Sequence, residues 1–173
     1  LKEVDAKNIE TTIRTLVGCG TRHVLSRTDS DTEGTGAARK WLRAQYEAIA
    51  AASGGRLTVA LQEAKVACAR QGMPKEVPVV NVIATLRGAS DPDRHYVVGG
   101  HYDSRNSRGE DGKGAAPGAV DDASGTAVAL EACRVMSKQT FAATIVFVAY
   151  DGEEQGLLGS QAHARSLAEA GTV

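Results

Sequence analysis

Apolar residues recur at helical spacing in four segments of the chain, and glycine or polar residues separate these segments. In residues 5–17 the positions of Ile9, Ile13 and Leu16 define one apolar face, and glycines follow it, as at the end of a helix. The same reasoning predicts three further helices, over residues 36–51, 124–137 and 157–170.

The segments between these helices have the composition of β-strands. LTVALQEAKVA (57–67) alternates loosely between apolar and polar residues, and VPVVNVIATL (77–86) follows it after a turn, which predicts a hairpin. The short apolar runs at 95–100 and 143–150 are typical of central strands, and the Gly-, Ser- and charge-rich residues 104–118 predict a loop. The hairpin makes the sheet mixed, and strands that alternate with helices predict a layered α/β fold.

The length, charge and cysteine content of the chain narrow the kinds of function. Its 173 residues are enough for one domain with a sizeable core. The net charge of −1 gives no electrostatic basis for binding nucleic acid or an anionic membrane surface, and no apolar run approaches the roughly 20 residues of a membrane helix. Without a C-x-x-C pair, a thiolate zinc site is not expected. Cys133 is predicted to be buried in a helix, and a Cys19–Cys68 disulfide is an open alternative in an oxidising compartment.

Three short clusters of imidazole and carboxylate side chains follow strands or precede a helix in this pattern. They are GGHYDS (99–104), PGAVDDASG (117–125) and YDGEEQGLLGS (150–160). Taken singly, each has a structural explanation: a hydrogen-bonded histidine, helix-capping aspartates, or glutamates solvated near a helix N-terminus. Taken together, clusters at the strand ends of an α/β sheet, where ligands usually bind, predict a metal site with the ligand types that zinc prefers in hydrolytic sites.

The spacing within each cluster suits such a site. His101 and Asp103 are two residues apart, so on an extended chain they point to one side, and Asp103 can accept a hydrogen bond from the ring nitrogen that does not face the metal. The carboxylate of Asp121 can bridge two cations, and the helix behind it fixes its position. In the pair Glu153-Glu154, one side chain can bind metal while the other reaches a water on the metal.

These motifs, in this order, resemble the co-catalytic di-zinc aminopeptidases, zinc exopeptidases related to bacterial leucyl aminopeptidase, glutamate carboxypeptidase and glutaminyl cyclase. Upstream, GTRH, GTGAARKWL and VVNVIATLRG also look like the N-terminal region of that family, so the resemblance covers most of the chain. It implies a three-layer αβα fold with a mixed, largely parallel central sheet, the phosphorylase/hydrolase-like fold of zinc peptidases.

The resemblance also implies a role for each matching residue and two zinc ions. His101 looks like a ligand of one zinc, Asp121 like the carboxylate that bridges both, and Glu154 like a ligand of the second. Glu153 looks like the general base that takes a proton from the bridging water, and Asp103 like the partner that holds the His101 ring. The peptide bond that follows Asp121 is expected to be cis.

Two ligands of the family pattern have no counterpart here. The family needs a further aspartate after the Glu-Glu pair and a histidine much further on, but no aspartate follows Asp151, and the only later histidine, His163, lies in a predicted helix. Residues 1–173 are therefore expected to be a single zinc-peptidase-like domain that forms the N-terminal part of a catalytic domain. By itself this chain is expected to bind metal weakly, to have little or no activity, and to self-associate into a homo-oligomer through surface that the missing part would cover.

The function implied by the resemblance is a zinc-dependent aminopeptidase, secreted or periplasmic, that acts on peptides with a free N-terminus. Two alternatives stay open: a glutaminyl-cyclase-like acyl transferase with one zinc, and a module that keeps the fold without catalysis. The Glu153-Glu154 pair and the Asp121-Asp122 run favour the peptidase, whereas the incomplete ligand set favours the module.

Overall fold

The computed structural model describes residues 2–172, which form one mixed β-sheet with helices on both faces. The elements in chain order are α1 (Ala6–Gly18), α2 (Gly34–Ala52), β1 (Leu57–Ala67), β2 (Glu76–Leu86), β3 (Asp91–His101), a π-helical turn (Ala119–Ala123), α3 (Ser124–Met136), β4 (Ala143–Tyr150) and α4 (Leu158–Glu169).

The four strands lie in the order β1-β2-β4-β3. β1 and β2 form the predicted antiparallel hairpin, β2 is antiparallel to β4, and β3 is parallel to β4. The prediction of a mixed sheet in three layers is confirmed. In the described residues, however, parallel pairing is confined to β3 and β4. β3 was predicted to be a central strand, but it forms an edge of the sheet, because it pairs with β4 on one side and with no described strand on the other.

Two apolar cores lie on opposite faces of the sheet, and the alternation of β2 shows how they are separated. Val82 and Ala84 face the larger core, which α1, α2 and α3 cover. Val77 and Val79 point the other way, into a smaller core that Leu158 of α4 closes. The buried strands β2 and β4 thus lie between helices, which holds their ends in place.

The connection from β3 through α3 to β4 determines where the polar clusters lie. Since β3 and β4 are parallel neighbours, their C-terminal ends meet at the same edge of the sheet. Gly100 lets α3 approach this edge: a Cβ there would lie 2.5 Å from the backbone carbon of Gly125 and 2.5 Å from the nitrogen of Thr126. The lack of a side chain just before His101 thus permits a close approach of two backbones.

The cysteines do not form the disulfide that was left open. Cys19 lies in the larger core and Cys68 in the smaller one, and both thiols are free. Cys133 is fully buried in α3, as predicted. Across residues 2–172, none of the helices combines the length and the apolar character that a bilayer crossing requires.

Candidate metal centre

His101 ends β3, and carboxylates surround its imidazole. On one side of the ring, Nδ1 lies 3.4 Å from Asp103 Oδ1. On the other side, Nε2 lies 3.0 Å from Asp121 Oδ1 and 3.7 Å from Glu153 Oε2. The backbone N–H of His101 donates to Asp122 Oδ2 at 3.0 Å. Nε2 is therefore the ring nitrogen that points towards the candidate centre.

The π-helical turn directs its two aspartates to different places. The side chain of Asp121 is 75% exposed and reaches the His101 ring. Asp122 accepts hydrogen bonds from the backbone N–H groups of His101, at 3.0 Å, and Gly125, at 2.7 Å. It thereby joins the end of β3 to the first turn of α3. The peptide bond between Asp121 and Asp122 is cis, as the sequence resemblance predicts.

Asp103 is completely buried and holds the turn that carries both glutamates. Its Oδ1 accepts the backbone N–H of Glu153 at 3.0 Å, and its Oδ2 accepts that of Glu154 at 3.2 Å. Because the same carboxylate faces His101 Nδ1, it couples the end of β3 to the end of β4. This position fits the predicted support of the imidazole and adds a second contact that the sequence did not indicate.

Glu154 does not join the other predicted ligands. Its Oε2 accepts a hydrogen bond from Arg105 Nε at 2.7 Å, and its backbone carbonyl accepts one from Arg70. The structure therefore brings together His101, Asp121 and Glu153, whereas the carboxylate of Glu154 is paired with a cation of the 104–118 loop. For Glu154 to bind metal, its side chain would have to leave Arg105.

The carboxylates change the protonation of the candidate centre. Burial opposes protonation of His101, but the hydrogen bond and charge of Asp103, followed by the charges of Glu153 and Asp122, outweigh it and raise the pKa of His101 to about 9. Burial raises the pKa of Glu153, and neighbouring carboxylates, Asp103 first, act in the same direction against the opposing effect of His101. A carboxylate with a raised pKa is the kind that can take and return a proton near neutral pH.

The side chains at the candidate centre are of the chemical types that bind zinc. Imidazole and carboxylate are the ligand types of catalytic zinc sites, and two ligands of one tetrahedral zinc, each at about 2.0–2.2 Å, lie a little over 3 Å apart. His101 Nε2 and Asp121 Oδ1 are 3.0 Å apart. Among residues 2–172, however, no group of three or more His, Cys, Asp and Glu side chains is already arranged to hold a metal ion. The predicted ligand roles of His101, Asp121 and Glu154 stay predictions.

Three residues that shape the site were not assigned a role from the sequence: Arg22, Arg105 and Asp122. Asp122 follows Asp121 in the same motif and was considered only as a helix cap. Arg105 directly follows the GGHYDS motif, where a cation beside predicted ligands could have been noticed. Arg22 belongs to GTRH, far from the acidic clusters in sequence, and nothing in its local pattern indicates a buried cation.

Comparison with known proteins gives the family. Residues 81–172, more than half of the chain, match the model of peptidase family M28. A probable zinc metalloprotease of Pyrenophora teres f. teres is 48% identical over 171 residues, covering 98% of this chain and 37% of that protein. One of Pyrenophora tritici-repentis is 47% identical, covering 98% of this chain and 39% of that protein. The chain thus spans well under half the length of these relatives.

Solved structures show the same fold. The LapA aminopeptidase of Legionella pneumophila superimposes with a TM-score of 0.73 at 25% identity, over 99% of this chain and 40% of LapA. A glutaminyl cyclase of Fimbriiglobus ruber gives a TM-score of 0.73 at 22% identity, over 97% of this chain and 57% of the cyclase, a likeness of fold alone. The predicted relation to zinc exopeptidases is confirmed, and the chain belongs to peptidase family M28, the family of its zinc metalloprotease relatives.

Proposed function

We propose that the chain supplies part of an aminopeptidase centre that removes N-terminal residues from peptides. The side chains that it supplies are those of His101, Asp121, Glu153 and Glu154. The observation that carries this proposal is the position of His101 Nε2, 3.0 Å from Asp121 and 3.7 Å from Glu153 at the C-terminal edge of the sheet. Membership of a zinc metallopeptidase family supports peptide hydrolysis, and the LapA likeness supports the choice of an exopeptidase.

Each side chain has a task in this proposal. His101 and Asp121 would hold one zinc, and Asp121 and Glu154 a second. Bound zinc makes water acidic enough to act as a nucleophile near neutral pH. Glu153 would take the proton of that water as its oxygen attacks the scissile carbonyl carbon, and would pass the proton to the amine as the C–N bond breaks. Asp103 keeps the Glu153 backbone and the His101 ring in place.

The positions of the two side chains favour Glu153 over Glu154 as the base. Glu153 Oε2 lies beside His101 Nε2, and its side chain is partly open to solvent, so it can meet both water and substrate. Glu154 is nearly buried behind Arg105. The pKa of Glu153 is raised, chiefly by burial, which suits a group that must exchange a proton during each turnover.

A comparison of Glu153→Gln with the unchanged chain tests this proposal. Aminoacyl anilides with zinc report exopeptidase activity, and peptides blocked at the N-terminus report endopeptidase activity. We expect hydrolysis of the unblocked substrates only, and it should be weak because the described residues would supply each zinc with two ligands rather than the usual three. Glu153→Gln should lower it by about 10²–10⁴-fold while zinc binding is retained, since proton transfer and not metal binding is removed.

Other results would assign another function. A mass loss of ammonia from a peptide with N-terminal glutamine, without peptide hydrolysis, would indicate a glutaminyl cyclase. Equal activity of the chain and Glu153→Gln would contradict the role of Glu153. Zinc binding without any turnover of either substrate class would indicate a module that keeps the fold and the ligands but not catalysis.

A further inference from the structure

Arg22 is a buried cation that binds backbone carbonyls beside the segments that carry His101 and Asp121. Its side chain is 0% exposed. Nε donates to the carbonyl of Tyr102 at 2.6 Å, and Nη1 donates to the carbonyls of Leu16, at 3.0 Å, and Pro117, at 2.7 Å. Nη2 donates to the carbonyl of Gly118 at 2.8 Å. One guanidinium thus ties three separate segments of the chain together.

The carbonyls that Arg22 binds lie next to predicted ligands. Tyr102 is between His101 and Asp103, and Gly118 lies three residues before Asp121. The backbone of Arg22 extends the connection, because its N–H donates to Ser104 Oγ at 3.0 Å, and that hydroxyl donates in turn to the carbonyl of Ala116 at 2.7 Å. The strand end that carries His101 and the loop that leads to Asp121 are therefore held to the same side chain.

The cost of burying Arg22 indicates that its position is specific. A buried guanidinium loses its hydration and is tolerated only where its donors find partners. Within residues 2–172, no carboxylate lies within ion-pair distance of Arg22, and its bonds go to backbone carbonyls. Burial lowers the pKa of Arg22, and the charges of Asp103 and Asp122 partly oppose this.

Gly118 makes room for this arrangement. Its φ of 45° lies in the left-handed region, and a Cβ there would be 2.8 Å from Arg22 Nη2 and 2.7 Å from the carbonyl oxygen of Asp121. Only glycine lets the guanidinium and the turn before Asp121 come this close. The loop geometry and the arginine are therefore matched to each other.

We propose that Arg22 is the positioning residue of the metal centre, which sets the distance between His101 and Asp121 through its hydrogen bonds to the Tyr102, Pro117 and Gly118 carbonyls. It touches neither metal nor substrate. This inference rests on the proposed zinc site. The variant Arg22→Lys tests it, because the lysine ammonium keeps the positive charge but cannot bind carbonyls on three segments at once.

The experiment measures the zinc dissociation constant of Arg22→Lys beside a matched control, Arg56→Lys. Arg56 also donates to three carbonyls, those of Ser53, Ser137 and Gln139, but at the opposite end of the sheet. We expect Arg22→Lys to weaken zinc binding by roughly 10- to 100-fold, the loss seen when groups that orient metal ligands are removed. Arg56→Lys should lose stability and bind zinc as the unchanged chain does. Equal zinc affinity of the two variants would overturn the proposal.

A second pair of variants covers the case in which Arg22→Lys does not fold. Gly118→Ala crowds the guanidinium without removing it, and Gly54→Ala is its control, since Gly54 has a φ of 67° and open space around its Cβ position. Only Gly118→Ala should weaken zinc binding. Equal zinc affinities of these two variants would argue against positioning by Arg22.

Amide hydrogen exchange separates failure of this inference from failure of the proposed function, because it needs no metal. The backbone N–H groups of His101 and Gly125 donate hydrogen bonds to the Asp122 carboxylate. These amide hydrogens should exchange faster in Arg22→Lys than in Arg56→Lys. If the unchanged chain binds no zinc, the zinc site is wrong, and this exchange pattern alone decides whether Arg22 positions the loops. Equal exchange at these amides in both variants would refute the positioning role.

Discussion

Two carboxylates, the fully buried Asp103 and the partly buried Asp122, join the separate segments of the candidate centre. Asp103 connects the His101 ring to the backbone of Glu153 and Glu154, and Asp122 connects the backbone of His101 to the first turn of α3. Each carboxylate accepts backbone N–H groups that would otherwise lack a partner, which fixes the loops without further secondary structure. The predicted ligands are thus held by their neighbours.

Asp151 lies behind this network and carries an electrostatic cost. Burial, and then the charge of Asp103, raise the pKa of Asp151 to about 7. Its Oδ2 accepts the backbone N–H of Val80 at 3.1 Å, while Oδ1 is buried and, within residues 2–172, has no hydrogen-bond partner. A carboxyl group whose folded pKa is raised stabilises the fold below its ordinary pKa, and that stabilisation is lost as pH rises through the folded pKa.

We therefore expect Asp151→Asn to flatten the pH dependence of stability. Between pH 5 and 8 the unchanged chain should lose stability on the order of 1 kcal/mol more than the variant, because asparagine does not ionise. The raised pKa of His101, about 9, adds a loss above its ordinary pKa that both proteins share. Urea unfolding at several pH values measures the difference, with exposed Asp93→Asn as the control. Parallel pH profiles of the chain and Asp151→Asn would show that the pKa of Asp151 is not raised in the folded chain.

Sequence patterns located the predicted ligands but not all their partners. His101, Asp121 and Glu153 were selected from short motifs at strand ends, and the structure brings these three together. Arg105 stands beside a predicted motif, but its pairing with Glu154 joins two loops 49 residues apart, so the sequence did not indicate its partner. Arg22 was missed for a different reason: its partners are backbone carbonyls, which leave no trace in the residue types.

At the level of elements, the periodicity of apolar residues was a sound guide. The helices and the hairpin begin and end within about two residues of their predicted bounds. The main difference is β3, which begins at Asp91 rather than residue 95, because its polar start still pairs with β4. The edge position of β3 was not predictable from these patterns, since its apolar residues 95–100 have the composition of a central strand.

The close approach of β3 and α3 should be needed for metal binding. In Gly100→Ala the new methyl group would meet the backbone of Gly125 and Thr126, so we expect a loss of stability of about 1–3 kcal/mol and weaker zinc binding. Gly88→Ala is the matched control, because its methyl group would meet the backbone of Ala142 at the opposite end of the sheet. Chemical unfolding and zinc titration measure both effects. Unchanged zinc affinity in Gly100→Ala would show that this contact does not position the site.

At the scale of the whole molecule, β3 is an edge strand that exposes large apolar side chains. Within residues 2–172 it pairs on one side only, with β4. Its neighbouring residues Tyr96 and Val97 point to opposite faces and are 57% and 45% exposed. An apolar strand that is open at its edge and on both faces is a ready surface for further pairing.

We propose that two copies of the chain associate through β3. Sedimentation should show a mass that rises with concentration, and Val97→Lys should shift the equilibrium towards the monomer by placing a charge on the exposed strand. Val128→Lys is the control, because Val128 is also exposed, at 55%, but lies on α3. A monomer at every concentration, or equal effects of both variants, would contradict association through β3.

The metal centre depends on His101 Nε2 binding zinc together with Asp121. The nitrogen chemical shifts of the histidine rings, followed by NMR as zinc is added, report this binding. We expect that Nε2 of His101 takes on the shift of a metal-bound nitrogen, that its Nδ1 stays protonated towards Asp103, and that Asp121→Ala abolishes the change. Unchanged shifts at His101 with zinc in excess, or metal-bound shifts at His23, His95 or His163 instead, would contradict it.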